Sequence, residues 1–364
     1  GPHLTDAATA RVLRETVSGI AEDGSSLIIC GDSVTLPSEM VNLAAYYQLQ
    51  LPGSGELGEV LDSTLRALAE KHLIEVATDP ETRRLIIEAM AGMTLNQARQ
   101  CVARSVFDDG RLCADDLTSI RGHKAQLIRD GGLLEYLPAG DNEFQIGGFL
   151  GLKRWLARAA TGFSSQAASW NLEPPKGILL VGVQGCGKSL AAKAIAAGWE
   201  IPLLKLDAGA LYNKYIGESE KNFREAAALA ESVAPCVLWI DEMEKGFATG
   251  GGDDNDGGTS RRLLASFLTW LQEKPPGVFV VGTANDIFAM PPELMRKGRF
   301  DEIFFVDLPN PSERDEIFRI QLALRNQDAA SYDLPGLIEH SEGFSGSEIE
   351  QAVIASLYRC LLYT

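Results

Sequence analysis

Gly182-Val183-Gln184-Gly185-Cys186-Gly187-Lys188-Ser189 is a complete G-x-x-x-x-G-K-[ST] phosphate loop. The apolar run Gly177-Ile178-Leu179-Leu180-Val181 precedes it, and the Ala-rich segment from Leu190 to Gly198 follows. Strand, glycine loop and helix is the context in which such a loop works. The glycines let backbone N–H groups turn inward around phosphate oxygens, and the helix N-terminus adds partial positive charge. Residues 182–189, with Leu190 behind them, are therefore the phosphate-binding candidates. Lys188 is placed to neutralise the β- and γ-phosphates, and the Ser189 hydroxyl to ligate Mg²⁺. The chain is expected to bind a nucleoside triphosphate.

Outward from the loop, helical patterns alternate with short apolar strands, the signature of a parallel α/β sheet. Strands are expected at 177–181, 202–206, 236–240, 278–282 and 303–307. Helices are expected at 188–198, 219–233 and 259–273, with a further one starting near Pro291. The acidic, glycine-rich stretch Thr249–Gly258 reads as a mobile loop. From Pro311 the pattern turns wholly helical, at 311–325, 334–341 and 345–362. Cys236-Val237-Leu238-Trp239-Ile240-Asp241-Glu242 is an apolar strand ending in two acids, the form of a Walker B strand. Such a strand brings Asp241 to Mg²⁺ beside Ser189 and Glu242 to the water that attacks the γ-phosphate.

The 364 residues are 45% hydrophobic and carry a formal net charge of −17, a field that repels nucleic-acid phosphates. No nucleic-acid partner is expected, and the basic cluster Arg121–Arg129 reads as a solvated linker face. Six cysteines are scattered without a C-x-x-C pair, which fits reduced thiols and a cytoplasmic setting. The four histidines show no metal-ligand spacing. Neither a transmembrane run nor a signal peptide is present. Residues 1–3 read as a cloning scar, and the stop in mid-helix pattern after Leu357 reads as a truncated lid.

Residues 4–120 echo the later part of the chain. Leu27-Ile28-Ile29-Cys30-Gly31-Asp32, then Leu36-Pro37-Ser38-Glu39-Met40, parallels Phe279-Val280-Val281-Gly282-Thr283, then Met290-Pro291-Pro292-Glu293-Leu294. Gln50-Leu51-Pro52 matches Asp307-Leu308-Pro309, and Gly92–Ala98 matches Gly343–Ile349. The organisation read from this is a degenerate second copy at 4–120, without phosphate loop or arginines, and a linker at 121–143. A large ATPase subdomain follows at 144–309 and a small helical lid at 310–364.

Gly182–Ser189, Ile240-Asp241-Glu242, Gly282-Thr283-Ala284-Asn285 and Arg296-Lys297-Gly298-Arg299-Phe300-Asp301 occur in the order of AAA+ ATPases of the classical clade. More narrowly, Asp241–Lys245, Phe267–Lys274 and Glu302–Pro309 resemble the cyanobacterial and red-algal-plastid family named as a hypothetical chloroplast reading frame. The resemblance implies an α/β fold, a P-loop NTPase parallel-sheet core of the AAA+ type with a C-terminal helical lid. A degenerate AAA-like α/β plus helical N-terminal domain would precede it. It implies ATP and ADP as ligands with Mg²⁺, Asn285 as the residue that helps Glu242 place the water, and Arg296 and Arg299 as arginine fingers acting on a neighbouring subunit's nucleotide. By the same resemblance Ile146 and Gly147 flank the adenine, and Tyr215, Ile216 and Gly217 form a substrate pore loop. Ser347 stands where the family has its second sensor, and no arginine accompanies it. Arg261 and Arg262 read either as neighbour contacts or as a charged helix face.

Two functions stand on these residues. One is a ring-forming ATPase, a homo-oligomer of hexameric form, that remodels an unidentified protein client. The other is a regulatory scaffold whose assembly is switched by nucleotide without threading. The setting expected from the family is bacterial cytosol or plastid stroma.

Overall fold

The computed structural model describes residues 7–22, 25–30, 44–45, 47, 49, 51–70, 75–76, 79–109, 111–130, 132–138, 145–163, 165–211, 218–247, 257–296 and 298–363. The chain divides into two units, residues 1–50 and 51–364. In the first, α1 (Ala7–Glu22) carries an exposed Arg11–Glu15 ion pair one turn apart. The strand expected at Leu27–Cys30 is not formed: residues 25–30 pair with no strand among the described residues, and Ile28 is 82% exposed. An apolar run becomes a strand only where a ladder partner and a covering face exist, and the described residues supply neither. The echo at Leu36–Met40 lies outside the described residues.

The second unit begins with helices α2 (Ser54–Ala69), α3 (Pro80–Met90), α4 (Leu95–Asp109) and α5 (Asp116–Asp130). Two short strands, β1 (Glu75–Val76) and β2 (Arg111–Leu112), pair in parallel between them. Leu57, Leu61, Ile86, Met90, Met93, Val102 and Ile120 meet in one buried cluster.

Next come β3 (Leu134–Leu137), α6 (Leu150–Ala159), α7 (Ser165–Ser169), β4 (Gly177–Gly182), α8 (Lys188–Gly198), β5 (Leu203–Asp207) and α9 (Glu218–Val233). They are followed by β6 (Cys236–Asp241), α10 (Met243–Phe247), α11 (Gly257–Glu273), β7 (Val278–Ala284) and β8 (Glu302–Val306). The sheet order is β3-β5-β6-β7-β4-β8, parallel except for β3, which pairs antiparallel with β5. The five expected strands form within two residues of their expected ends. The helix expected near Pro291 is a single 3₁₀ turn, Pro292–Met295.

Strands buried on both faces read as unbroken apolar runs, and β4 and β7 are buried at every residue. Their side chains alternate between two cores. Leu179, Val181, Leu238, Ile240 and Val280 face Phe223, Phe247 and Phe267. Ile178, Leu180, Val237, Phe279 and Val281 face Ala191, Ala192 and Ile195 of α8. The order places β4 beside β7, and β7 beside β6. The loop after β4 and the acids ending β6 therefore open on the same edge, where parallel sheets bind ligands.

The lid is α12 (Pro311–Ala323), α13 (Leu334–His340) and α14 (Gly346–Tyr363), cored by Phe318, Leu322, Leu334, Ile349 and Val353. Its local chemistry repeats that of α2–α4. Gly53 N–H donates to Glu56 Oε2 at 3.0 Å to start α2, as Asn310 N–H does to Glu313 Oε2 at 3.0 Å to start α12. Asp79 caps α3 through Thr82 N–H, and Asp333 caps α13 through Gly336 N–H. Gly92 and Gly343 take φ of 85° and 79°, left-handed turns that favour glycine. Thr94 and Gln97 then form a reciprocal cap ahead of α4, as Ser345 and Glu348 do ahead of α14.

Residues 121–143 are not a linker: they hold the later part of α5 and all of β3, the edge strand of the main sheet. In the Arg121–Arg129 cluster, Arg129 is exposed and Arg121 half-buried, as a solvated face requires, but Lys124 is not. Lys124 is 2% exposed, with its ammonium 5.1 Å from the centroid of the Tyr136 ring on β3. Burial pushes Lys124 down to about 8, opposed by the nearby Cys236, and burial likewise pushes Lys274 down to about 8. The unfolded chain keeps both lysines protonated up to their ordinary 10.5, so between pH 8 and 10.5 it binds more protons than the fold. Stability therefore rises with pH through that window, and the burial penalty is in full force below pH 8. Lys124→Met is expected to stabilise the protein at pH 7 by about 1–2 kcal/mol, the relieved burial outweighing the lost cation–π contact. Urea denaturation at pH 7 and pH 10 checks this, the gain shrinking at the higher pH.

Candidate functional site

The phosphate loop leaves β4 through Gly182, whose φ is 147° and where any Cβ would sit 2.0 Å from the Val306 carbonyl. Gly185 and Gly187 take φ of 77° and 89°, and α8 begins at Lys188. Lys188 is 7% exposed, and its ammonium donates to the carbonyls of Gly182 and Val183, each at 2.8 Å. Burial lowers its pKa, and the carboxylates of Glu244 and Asp241 work against that shift. A cation held over the loop by neutral carbonyls is poised to exchange them for anionic oxygens.

Asp241 ends β6 half-buried. Thr283 Oγ1 on β7 donates to Asp241 Oδ1 at 2.7 Å, and Lys205 Nζ on β5 lies 3.5 Å from Oδ2. Glu242, at φ 49°, pairs through Oε2 with Lys245 Nζ at 2.6 Å. Glu244 Oε1 accepts from Asn285 N–H at 3.0 Å, tying the end of β7 to the start of α10. Its Oε2 is buried with no hydrogen-bond partner among the described residues.

Lys188, Asp241, Glu242, Thr283 and Asn285 border a cavity of about 410 Å³. Its lining takes in Gln184, Gly185, Cys186, Gly187, Lys188, Ser189 and Leu190 from the loop, Asp241 and Glu242 from β6, and Asn285 after β7. Ile146 and Gly147 close the far end against Ile317, Ile320 and Gln321 of α12. A Cβ on Gly147 would come 2.9 Å from Ile317 Cγ1, so the segment crosses the lid closely. Gly148 N–H donates to Glu316 Oε2 at 2.7 Å and Lys153 Nζ to the Ile146 carbonyl at 2.8 Å. Ser347 N–H donates to the Gly185 carbonyl at 3.0 Å, joining lid to phosphate loop. The apolar end and the amide-rich end suit a flat ring and an anionic chain respectively.

Several expected residues stand elsewhere. Gly182 and Val183 do not line the cavity; they give their carbonyls to Lys188 instead. Arg296 is exposed, Arg299 donates to the Glu293 carbonyl, and neither lines the cavity of its own chain. Tyr215, Ile216 and Gly217 lie outside the described residues, as does most of the acidic stretch at 249–258. Conversely, Phe149, Thr283, Ile317, Ile320, Gln321 and Glu350 line the cavity without having been singled out. A repeat of Ile317, Ile320 and Gln321 on one helix face carries a signal, but one indistinguishable from ordinary core packing. The donors fit Mg²⁺: Ser189 supplies a hydroxyl and Asp241 a carboxylate, both hard oxygens on the cavity wall.

Residues 178–308 match the model of the AAA family, described as ATPases associated with various cellular activities. Residues 55–131 match a second model, the second domain of SpoVK-like AAA ATPases. Among curated proteins, an uncharacterized AAA domain-containing protein ycf46 of Trieres chinensis is 38% identical over 98% of this chain and 70% of its own length. Its counterpart in Guillardia theta is also 38% identical, over 98% of this chain and 69% of its own length. The human ATPase family gene 2 protein homolog A is 36% identical over 49% of this chain and 20% of its own length.

Proposed function

This chain belongs to the AAA ATPase family, among its ycf46-type proteins, and we propose that its cavity binds ATP with Mg²⁺ and hydrolyses the γ-phosphate in an oligomeric ring. The observation that carries the reading is convergence: Lys188, Asp241, Glu242 and Asn285, delivered by three different strands, border one cavity. Bound Mg²⁺ would neutralise charge on the β- and γ-phosphates, with Ser189 and Asp241 to hold it. The N–H groups of the loop and the start of α8 hold the phosphate chain, and Lys188 moves from the Gly182 and Val183 carbonyls to its oxygens. Glu242 takes the proton from the attacking water, which Asn285 orients from the neighbouring strand. Ile146, Ile317 and Ile320 hold the adenine between apolar faces.

The arginines support a shared site. Arg296 and Arg299 lie off their own chain's cavity, Arg296 exposed and Arg299 half-buried against the Glu293 carbonyl, so a hexamer would complete each site in trans. Phosphate release per chain is then expected to rise with protein concentration and to plateau once rings form. A rate per chain that stays flat from dilute to concentrated protein would overturn the ring. The work done is remodelling of a protein client in cytosol or stroma, and no helix among the described residues is long and apolar enough to cross a membrane.

A further inference from the structure

The two carboxylate oxygens of Asp241 are held from two different strands. Thr283 Oγ1 donates to Oδ1 at 2.7 Å, and Thr283 is itself fixed by the Trp239 indole, whose Nε1–H donates to it at 3.2 Å. On the other side Lys205 Nζ lies 3.5 Å from Oδ2 and 4.6 Å from the centroid of the Trp239 ring. Lys205 pairs with Trp239, and Asp207 with Asp241, in the parallel register of β5 and β6. Lys205, Trp239 and Asp241 therefore share one face of the sheet. The lysine is a lone cation in the apolar run Leu203-Leu204-Lys205-Leu206, and the Lys205 and Asp241 side chains are only 31% and 23% exposed.

Under the reading above, Asp241 is a ligand of Mg²⁺, and the inference rests on that reading. An ammonium 3.5 Å from Oδ2 repels a second cation approaching the same carboxylate. We propose that Lys205 is a positioning residue that competes with Mg²⁺ for Asp241 and so sets the Mg²⁺ concentration at which the nucleotide site fills. Displaced from Asp241, the ammonium would stay over the Trp239 ring face, 4.6 Å from its centroid. Thr283 meanwhile fixes Oδ1, so the carboxylate does not turn wholly to the lysine.

The test is calorimetric titration of Mg²⁺ into the full chain saturated with ADP, which removes turnover from the measurement. Lys205→Met, which keeps the apolar stem over Trp239, is expected to lower the half-saturating Mg²⁺ about three- to tenfold. Lys205→Arg is expected to stay within about twofold of the parent, because it keeps the cation. Thr283→Val should move the midpoint the other way, about three- to tenfold upward, by freeing Asp241 to close on Lys205. ADP affinity measured in EDTA should be the same in the parent and in both Lys205 variants, since Lys205 does not line the cavity. Coincident Mg²⁺ curves for Lys205→Met and the parent would overturn the inference and leave the nucleotide site standing. Absence of ADP binding in every protein would overturn the nucleotide reading and the inference with it.

Discussion

Lys188→Met is expected to weaken ATP binding by ~10²–10³-fold, the usual consequence of removing one partner of a desolvated, hydrogen-bonded charge pair. The lysine is 7% exposed and, among the described residues, bonded to the Gly182 and Val183 carbonyls. Among the described residues that line the cavity, Lys188 is the sole cation, so no side chain of the same chain's cavity wall replaces it at the phosphates. The fold should survive. Two loop carbonyls lose a donor at about 1 kcal/mol each, and removing an ammonium that burial already disfavours offsets part of that cost. Competition against a fluorescent ATP analogue, with circular dichroism as the control for folding, reads both halves of the expectation.

Glu242→Gln is expected to behave differently: turnover falls by about 10²–10⁴-fold, the range for a general base, while ATP affinity stays within a few-fold. The amide keeps the shape of the carboxylate but cannot accept the water's proton. In the parent, Oε2 already pairs with Lys245, so the substitution also removes an exposed ion pair, a change of little consequence for stability. Single-turnover phosphate release separates the two variants. Lys188→Met fails at binding, whereas Glu242→Gln binds and holds unhydrolysed ATP.

Much of the cavity wall was legible because its signals are local. The phosphate loop, the apolar β6 ending in Asp241 and Glu242, and the strand leading to Asn285 each state their chemistry within a few consecutive residues. What escaped depends on pairing across the chain. β3 is a four-residue edge strand with alternating burial, and only its register with β5 distinguishes it from a linker. Lys124 looks like one charge in a basic cluster until α5 closes over β3. Lys205 and Thr283 come to Asp241 through the registers of β5 with β6 and of β6 with β7, which no run of sequence displays. The reverse error occurred at residues 27–30, where a strand-like run met no ladder. The repeated caps at Gly53 and Asn310, and at Thr94 and Ser345, were visible only as an echo in sequence. In the fold they become matching hydrogen bonds at the starts of α2, α12, α4 and α14.

The most direct measurement is equilibrium binding of ATP, with Mg²⁺, to the Glu242→Gln chain, set beside the same titration of Lys188→Met. The expected result is saturable binding by Glu242→Gln in the micromolar to roughly millimolar range usual for such substrates, with the midpoint for Lys188→Met displaced upward by ~10²–10³-fold. No saturable binding by a folded Glu242→Gln chain, or equal binding by the two variants, would contradict the account.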